Sequence, residues 1–210
     1  MLKKYDVIQQ CSVSHFVSHL RIKSIPRPAL GKVSKGEKMT QNISQTPIKP
    51  RFGAVENKIA VLFICHGNIC RSTMAQYVFQ DLINRHNLTD QFYIDSAATS
   101  REEIGNPIHH GTRRKLKEVG IPCGDHRARQ LEKREYDEFD YLIGMDSMNI
   151  RNMMRILGGD PEGKVSKLLD FTERTGQDIA DPWYTGNFDR TYEDVKEGCE
   201  ALLQDCLLRL

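Results

Sequence analysis

No run of apolar residues in this 210-residue chain approaches the roughly 18 needed to cross a bilayer, so no membrane-spanning segment is expected. No C-x-x-C pair and no Cys/His cluster at zinc-binding spacing occurs, and neither a metal nor a cofactor is expected. The six cysteines, Cys11, Cys65, Cys70, Cys123, Cys199 and Cys206, form no even framework and follow no recognisable secretory leader, a usage that fits a reducing cytoplasm. Acidic residues are scarce in the first 57 positions, where 3 Asp/Glu face 10 Lys/Arg. Because the whole chain is only +2, residues 58–210 carry a net −5 and present no basic field for nucleic acid. Internal repeats are absent too.

Residues 1–57 contain Pro26, Pro28, Pro47 and Pro50 among Ser, Thr, Gln and Lys, with few neighbouring apolar residues. Such a segment buries too little surface to offset its ordering entropy, so it reads as a basic, disordered N-terminal extension. Met39 offers an alternative start. Val13, Phe16, Val17 and Leu20 fall at helical spacing beside Arg21 and Lys23, which leaves a targeting sequence or an interaction arm as other readings.

From Lys58 onward, strands alternate with amphipathic helices, the pattern of an α/β domain over 58–210 with a four-stranded parallel sheet. Residues 59–64 are a nearly unbroken apolar run, as a strand covered on both faces requires. A helix follows from near Ser72, with Met74, Ala75, Val78, Phe79, Leu82 and Ile83 on one side. Further strands are expected over 92–94, 141–145 and 165–169. Helices are expected over 107–119, opened by Pro107, over 130–138, over 147–157, and along a last stretch with Tyr192, Val195, Cys199, Leu202, Leu203 and Cys206 on one face.

Between the first strand and the first helix the chain reads Cys65, His66, Gly67, Asn68, Ile69, Cys70, Arg71, Ser72. A Cys followed five residues later by Arg recurs by chance in many chains. The location is the stronger signal, because ligands of open parallel sheets bind beyond the carboxyl ends of the strands, facing helix N-termini. Gly67 and Asn68 tolerate positive φ, so successive backbone N–H groups can turn inward around an anion. Arg71 supplies a planar fork for two phosphate oxygens, and its charge, the helix dipole and the N–H groups favour the anionic, nucleophilic form of Cys65. Ser72 can donate its hydroxyl to the sulfur.

Residues 61–72, VLFICHGNICRS, resemble the signature of the low-molecular-weight protein tyrosine phosphatases. Asp95-Ser96-Ala97-Ala98-Thr99, His126-Arg127-Ala128-Arg129-Gln130, Met145-Asp146 with Asn149, and Asp181-Pro182-Trp183-Tyr184 continue the likeness, which covers 58–210 nearly end to end. The resemblance implies a Rossmann-like three-layer fold and metal-independent hydrolysis of phosphotyrosine in proteins, or of aryl phosphates, through a phosphocysteine. It implies Cys65 as nucleophile, Arg71 as phosphate clamp and Asp181 as general acid, although Asp-Pro is also a common turn opener. His66 through Ser72 would bind the phosphate. Asn68, Ser72, Ser96 and His126 would support the loop, with a surface histidine the alternative for His126.

Trp183 and Tyr184 would line the substrate mouth, together with Glu102, which stands where some relatives carry an aromatic. Cys70 would guard Cys65 through a reversible disulfide. The chain is expected to be a monomer. Thr73 and His110 replace prolines common in the family. Arsenate reductase and protein-arginine phosphatase share the loop; the first needs further redox cysteines, and relatives with the second activity tend to carry threonine in place of Ile69. A non-catalytic phosphotyrosine-binding module is the reading from another class.

Overall fold

The computed structural model describes residues 58–208, and the expectations for residues 1–57 lie outside the described residues. Four parallel strands, β1 (Ile59–Cys65), β2 (Phe92–Ala98), β3 (Tyr141–Gly144) and β4 (Val165–Lys167), form one sheet in the order β2-β1-β3-β4. Strand β1 is central, and its side chains divide between two apolar layers. Val61 and Phe63 pack on one face with Met74, Phe79, Val195 and Leu202, while Leu62 and Ile64 pack on the other with Leu142, Met153 and Leu157. Burial on both faces explains why the strand is apolar at every position rather than at alternate ones.

Helix α1 (Arg71–Arg85) leaves β1 through the Cys65–Arg71 loop, and α6 (Phe188–Leu207) packs beside it on the same face of the sheet. Close approach of α6 depends on Gly198, where an added Cβ would fall 2.5 Å from Leu168 Cγ. The other elements are α2 (His110–Glu118), α3 (Glu135–Glu138), α4 (Ser147–Leu157) and α5 (Pro182–Thr185). No helix among the described residues is long and apolar enough to cross a membrane.

Several boundaries differ from the sequence reading, among them β2, which runs on past Ile94 to Ala98 in register with β1. Helix α2 starts at His110 rather than Pro107, because His109 is extended and its Nδ1 accepts the Gly111 N–H as an N-cap. Helix α3 is confined to four residues because Ala128 to Leu131 is drawn into backbone pairing with Asn106 and the end of β2. Strand β4 stops at Lys167, and Leu168–Phe171 turns into a 3-10 segment. The turn after Asp181 also forms a short helix, α5, which the periodicity did not reveal.

Candidate active site

The site is built at the carboxyl end of β1. Thr99 N–H donates to the Cys65 carbonyl at 2.8 Å and Ser100 N–H to the His66 carbonyl at 2.9 Å, so the continuation of β2 holds the start of the loop. Asn68 takes the left-handed conformation, φ 57°, and its N–H points to Cys65 Sγ at 3.3 Å. Gly67 has a different reason from the one its sequence context suggests. It lacks a positive φ, and its small size accommodates Glu103, whose Cγ would lie 3.0 Å from an added Cβ.

Asn68 is fully buried and hydrogen-bonded throughout. Its Nδ2 donates to Ser72 Oγ at 3.0 Å and to Ser96 Oγ at 2.8 Å, and its Oδ1 accepts the Arg129 N–H at 3.1 Å. Ser96 Oγ passes its proton on to Gln76 Oε1 at 2.6 Å, while Ser72 Oγ lies 3.1 Å from Cys65 Sγ. His126 Nε2 donates to the Asn68 carbonyl at 2.8 Å, and burial holds this imidazole below its ordinary pKa, in the neutral form that keeps one donor nitrogen. The strained residue is thus secured on its carbonyl, its amide and both ends of its side chain. The structure brings Asn68, Ser72, Ser96 and His126 into one network around Cys65.

Arg71 is 2 % exposed and lies between two carboxylates. Its Nη1 donates to Asp146 Oδ2 at 2.5 Å and to the Ile179 carbonyl at 3.0 Å, and its Nη2 donates to Asp181 Oδ2 at 2.5 Å. Burial opposes the guanidinium charge, but Cys65, Asp181 and Asp146 outweigh it and hold the group above its ordinary pKa. Its Nε is buried with no hydrogen-bond partner, which leaves one donor of the fork for an anion.

The two aspartates are anchored in the same way. Asp146 caps α4 by accepting the Asn149 N–H at 2.6 Å, and Asp181 caps α5 by accepting the Trp183 N–H at 3.0 Å. In each, one oxygen stops a helix and the other reaches Arg71. Asp181 therefore serves both as turn opener and as site residue.

Asp146 was not singled out as a functional residue from the sequence, where an Asp just before a helix signals only an N-cap. Asp146→Ala is expected to remove the α4 cap, at about 1 kcal/mol, and to loosen Arg71, raising the KM for p-nitrophenyl phosphate about tenfold with a smaller loss in kcat. Asp146→Asn keeps a capping oxygen and should recover thermal stability ahead of the KM. Equal KM values in all three proteins would show that Asp146 does not orient Arg71.

Cys70 is 4 % exposed, and burial, with Cys65 adding to it, pushes its thiol up to about 12. Cys65 and Cys70 are both free thiols. Ile69 turns its carbonyl toward the His109 N–H, at 2.9 Å. An open cleft of about 120 Å³ is lined by the loop residues Cys65, His66, Gly67, Ile69 and Cys70 together with Glu102, Glu103, Asp181, Trp183 and Tyr184. Trp183 and Tyr184 are 56 % and 83 % exposed, and Trp183 meets the His109 ring edge-on at 5.6 Å. A larger depression of about 260 Å³, between α2 and the start of α6, contains none of these residues. Among the described residues no group of three or more His, Cys, Asp or Glu is arranged to hold a metal ion.

Cys65 is thus a buried thiol beside the Asn68 N–H and the Ser72 hydroxyl, with Arg71 on the adjoining helix. The family model described as low molecular weight phosphotyrosine protein phosphatase matches residues 60–208, and the chain belongs to that family. It is 42 % identical over 146 residues to the low molecular weight protein-tyrosine-phosphatase YfkJ of Bacillus subtilis, covering 69 % of this chain and 94 % of the relative. The human low molecular weight phosphotyrosine protein phosphatase is 36 % identical over 149 residues, covering 69 % and 94 %. The crystal structure of YfkJ superposes with a TM-score of 0.70 at 40 % identity, over 72 % of this chain and 96 % of that one. The structure of DARP, a Drosophila arginine phosphatase, superposes with a TM-score of 0.63 at 29 % identity, over 69 % and 96 %.

Proposed function

We propose that the protein hydrolyses phosphotyrosine in proteins, and small aryl phosphates, through a phosphocysteine and without a metal ion. The observation that carries this reading is the Cys65–Arg71–Asp181 constellation, in which thiol and carboxyl line one cleft and the carboxyl is held by the buried Arg71 Nη2 at 2.5 Å. Cys65 attacks phosphorus as the thiolate. The loop N–H groups and Arg71 hold the three equatorial oxygens, on which charge is spread in the transition state.

Asp181 is the general acid. Its Oδ2 is bound by Arg71 Nη2, so an arriving phosphate competes for that donor and frees the carboxyl to carry a proton to the leaving oxygen. The protonated carboxyl then donates to the phenolic oxygen as the P–O bond breaks and the S–P bond forms. In the second step Asp181 takes a proton from water, which attacks the phosphocysteine and regenerates the Cys65 thiolate.

The apolar bulk of Ile69 and the aromatic pair Trp183 and Tyr184 suit a flat aryl ester, which favours phosphotyrosine over phosphoarginine. Cys123, Cys199 and Cys206 are not among the residues lining the cleft, so among the described residues no cysteine relay of the arsenate-reductase kind adjoins it. Cys70, five residues from Cys65 in the same loop and lining the same cleft, would condense with a Cys65 sulfenic acid, losing water to form a disulfide, and protect it from further oxidation. Rapid quenching during turnover of p-nitrophenyl phosphate in the presence of a chelator is expected to trap one phosphate on the peptide containing Cys65. Phosphate on another peptide, or turnover that stops in the chelator, would overturn the mechanism.

A further inference from the structure

The lining of the cleft is rich in acidic side chains. Glu102, Glu103 and Asp181 all line it, and among the described residues lining the cleft none is Lys or Arg. Arg101, next to the glutamates in sequence, is not part of the lining. Both glutamates are fixed at the rim. The stem of Glu103 covers Gly67, where its Cγ and Cβ would lie 3.0 and 3.6 Å from an added Cβ, and its Oε2 accepts from Asn106 Nδ2 at 2.7 Å. Glu102 Oε2 lies 2.9 Å from His66 Nε2, with both side chains open to solvent at 72 % and 48 % exposure. Neither carboxylate pairs with a Lys or Arg among the described residues, so both are free to meet a cation from outside.

Two carboxylates beside an anion-binding loop oppose a bare phosphate monoester. The opposition is offset when the chain carrying the phosphate also carries positive charge. Resting on the phosphotyrosine reading above, we propose that Glu102 and Glu103 make this site selective for phosphotyrosine segments with Lys or Arg next to the phosphorylated residue. They act against acidic segments and small aryl phosphates. An exposed ion pair changes an equilibrium by up to about fivefold, so the two together separate basic from acidic flanks by about tenfold in kcat/KM. The interaction is solvent-exposed, and the separation should shrink as salt is raised.

The test uses the full chain and its Glu102→Gln/Glu103→Gln double variant on three phosphotyrosine peptides that differ only in having Lys, Gln or Glu beside the phosphotyrosine, with p-nitrophenyl phosphate alongside. The native chain is expected to rank Lys over Gln over Glu across about a tenfold range at low salt. The double variant should lose the ranking, slowing on the Lys peptide while gaining on the Glu peptide and on p-nitrophenyl phosphate. Opposite changes in one variant separate a charge effect from damage to the fold, which slows every substrate. A flat ranking in the native chain, an unchanged ranking in the double variant, or a uniform loss across all four substrates would overturn the proposal. In each of those cases native turnover leaves the phosphatase reading standing. No turnover of any peptide or of p-nitrophenyl phosphate by the native chain would overturn that reading itself.

Discussion

Cys65→Ser is expected to lower turnover of every phosphate ester by about 10⁴-fold or more while leaving the affinity for a phosphotyrosine peptide within a few-fold of native. Thiol and hydroxyl are nearly the same size, so the Asn68 N–H, the Ser72 hydroxyl and Arg71 keep their places and continue to bind phosphate. The hydroxyl, however, stays protonated near neutral pH, and the groups that contact the sulfur are Asn68 N–H and Ser72 Oγ, neither of which is a base. A serine there is left without the activation that a hydroxyl nucleophile needs. Isothermal titration with the peptide, beside the rate, separates lost chemistry from lost binding. Native-like turnover in the variant would remove Cys65 from the mechanism, and parallel loss of binding and rate would point to a collapsed loop.

Asp181→Ala is expected to slow phosphotyrosine hydrolysis by about 10² to 10⁴-fold, the usual range for a missing general acid, and to slow p-nitrophenyl phosphate far less. The tyrosine phenol has a pKa near 10 and leaves poorly without a proton, whereas p-nitrophenol is more acidic and needs less help. A second effect has the opposite sign. Removing the carboxylate frees Arg71 Nη2, so inorganic phosphate should inhibit the variant at concentrations no higher than those needed for the native enzyme. Asp181→Asn keeps the α5 cap and should fold as the native chain does while sharing the kinetic defect. A uniform slowing of all leaving groups would assign the acid to another residue.

The loop and the central strand were legible because their signals are local. Burial of β1 on both faces leaves an apolar run, and Cys65, Asn68, Arg71 and Ser72 lie within eight consecutive positions. Asp181 was visible only through the company it keeps, since an Asp-Pro pair by itself says turn, and in the structure the same carboxyl is both helix cap and partner of Arg71. The second carboxylate on Arg71 was hidden for a physical reason. Asp146 reaches the guanidinium across 75 residues of sequence, and no period or spacing encodes a contact made by folding the sheet.

Misread boundaries have the same origin. Gln130 to Arg134 has helical composition, yet pairing of Leu131 N–H with the Ala98 carbonyl outweighs local propensity and delays α3 to Glu135. Pro107 signals a helix start, but the capping geometry belongs to His109. Gly67 was read as a hinge for positive φ and turned out to be a space for Glu103, a neighbour 36 positions away. Short-range chemistry was thus readable in the sequence, and its long-range supports were not.

The central claim is tested most directly by one side-by-side measurement: product release from a phosphotyrosine peptide, a phosphoarginine peptide and arsenate with reductant, each in the presence of a chelator and each repeated with Cys65→Ser. The native chain should release phosphate from phosphotyrosine at a rate the chelator does not change, with phosphoarginine and arsenate far slower and all activity lost in the variant. Faster turnover of phosphoarginine or arsenate, or phosphotyrosine hydrolysis that survives loss of Cys65, would contradict it.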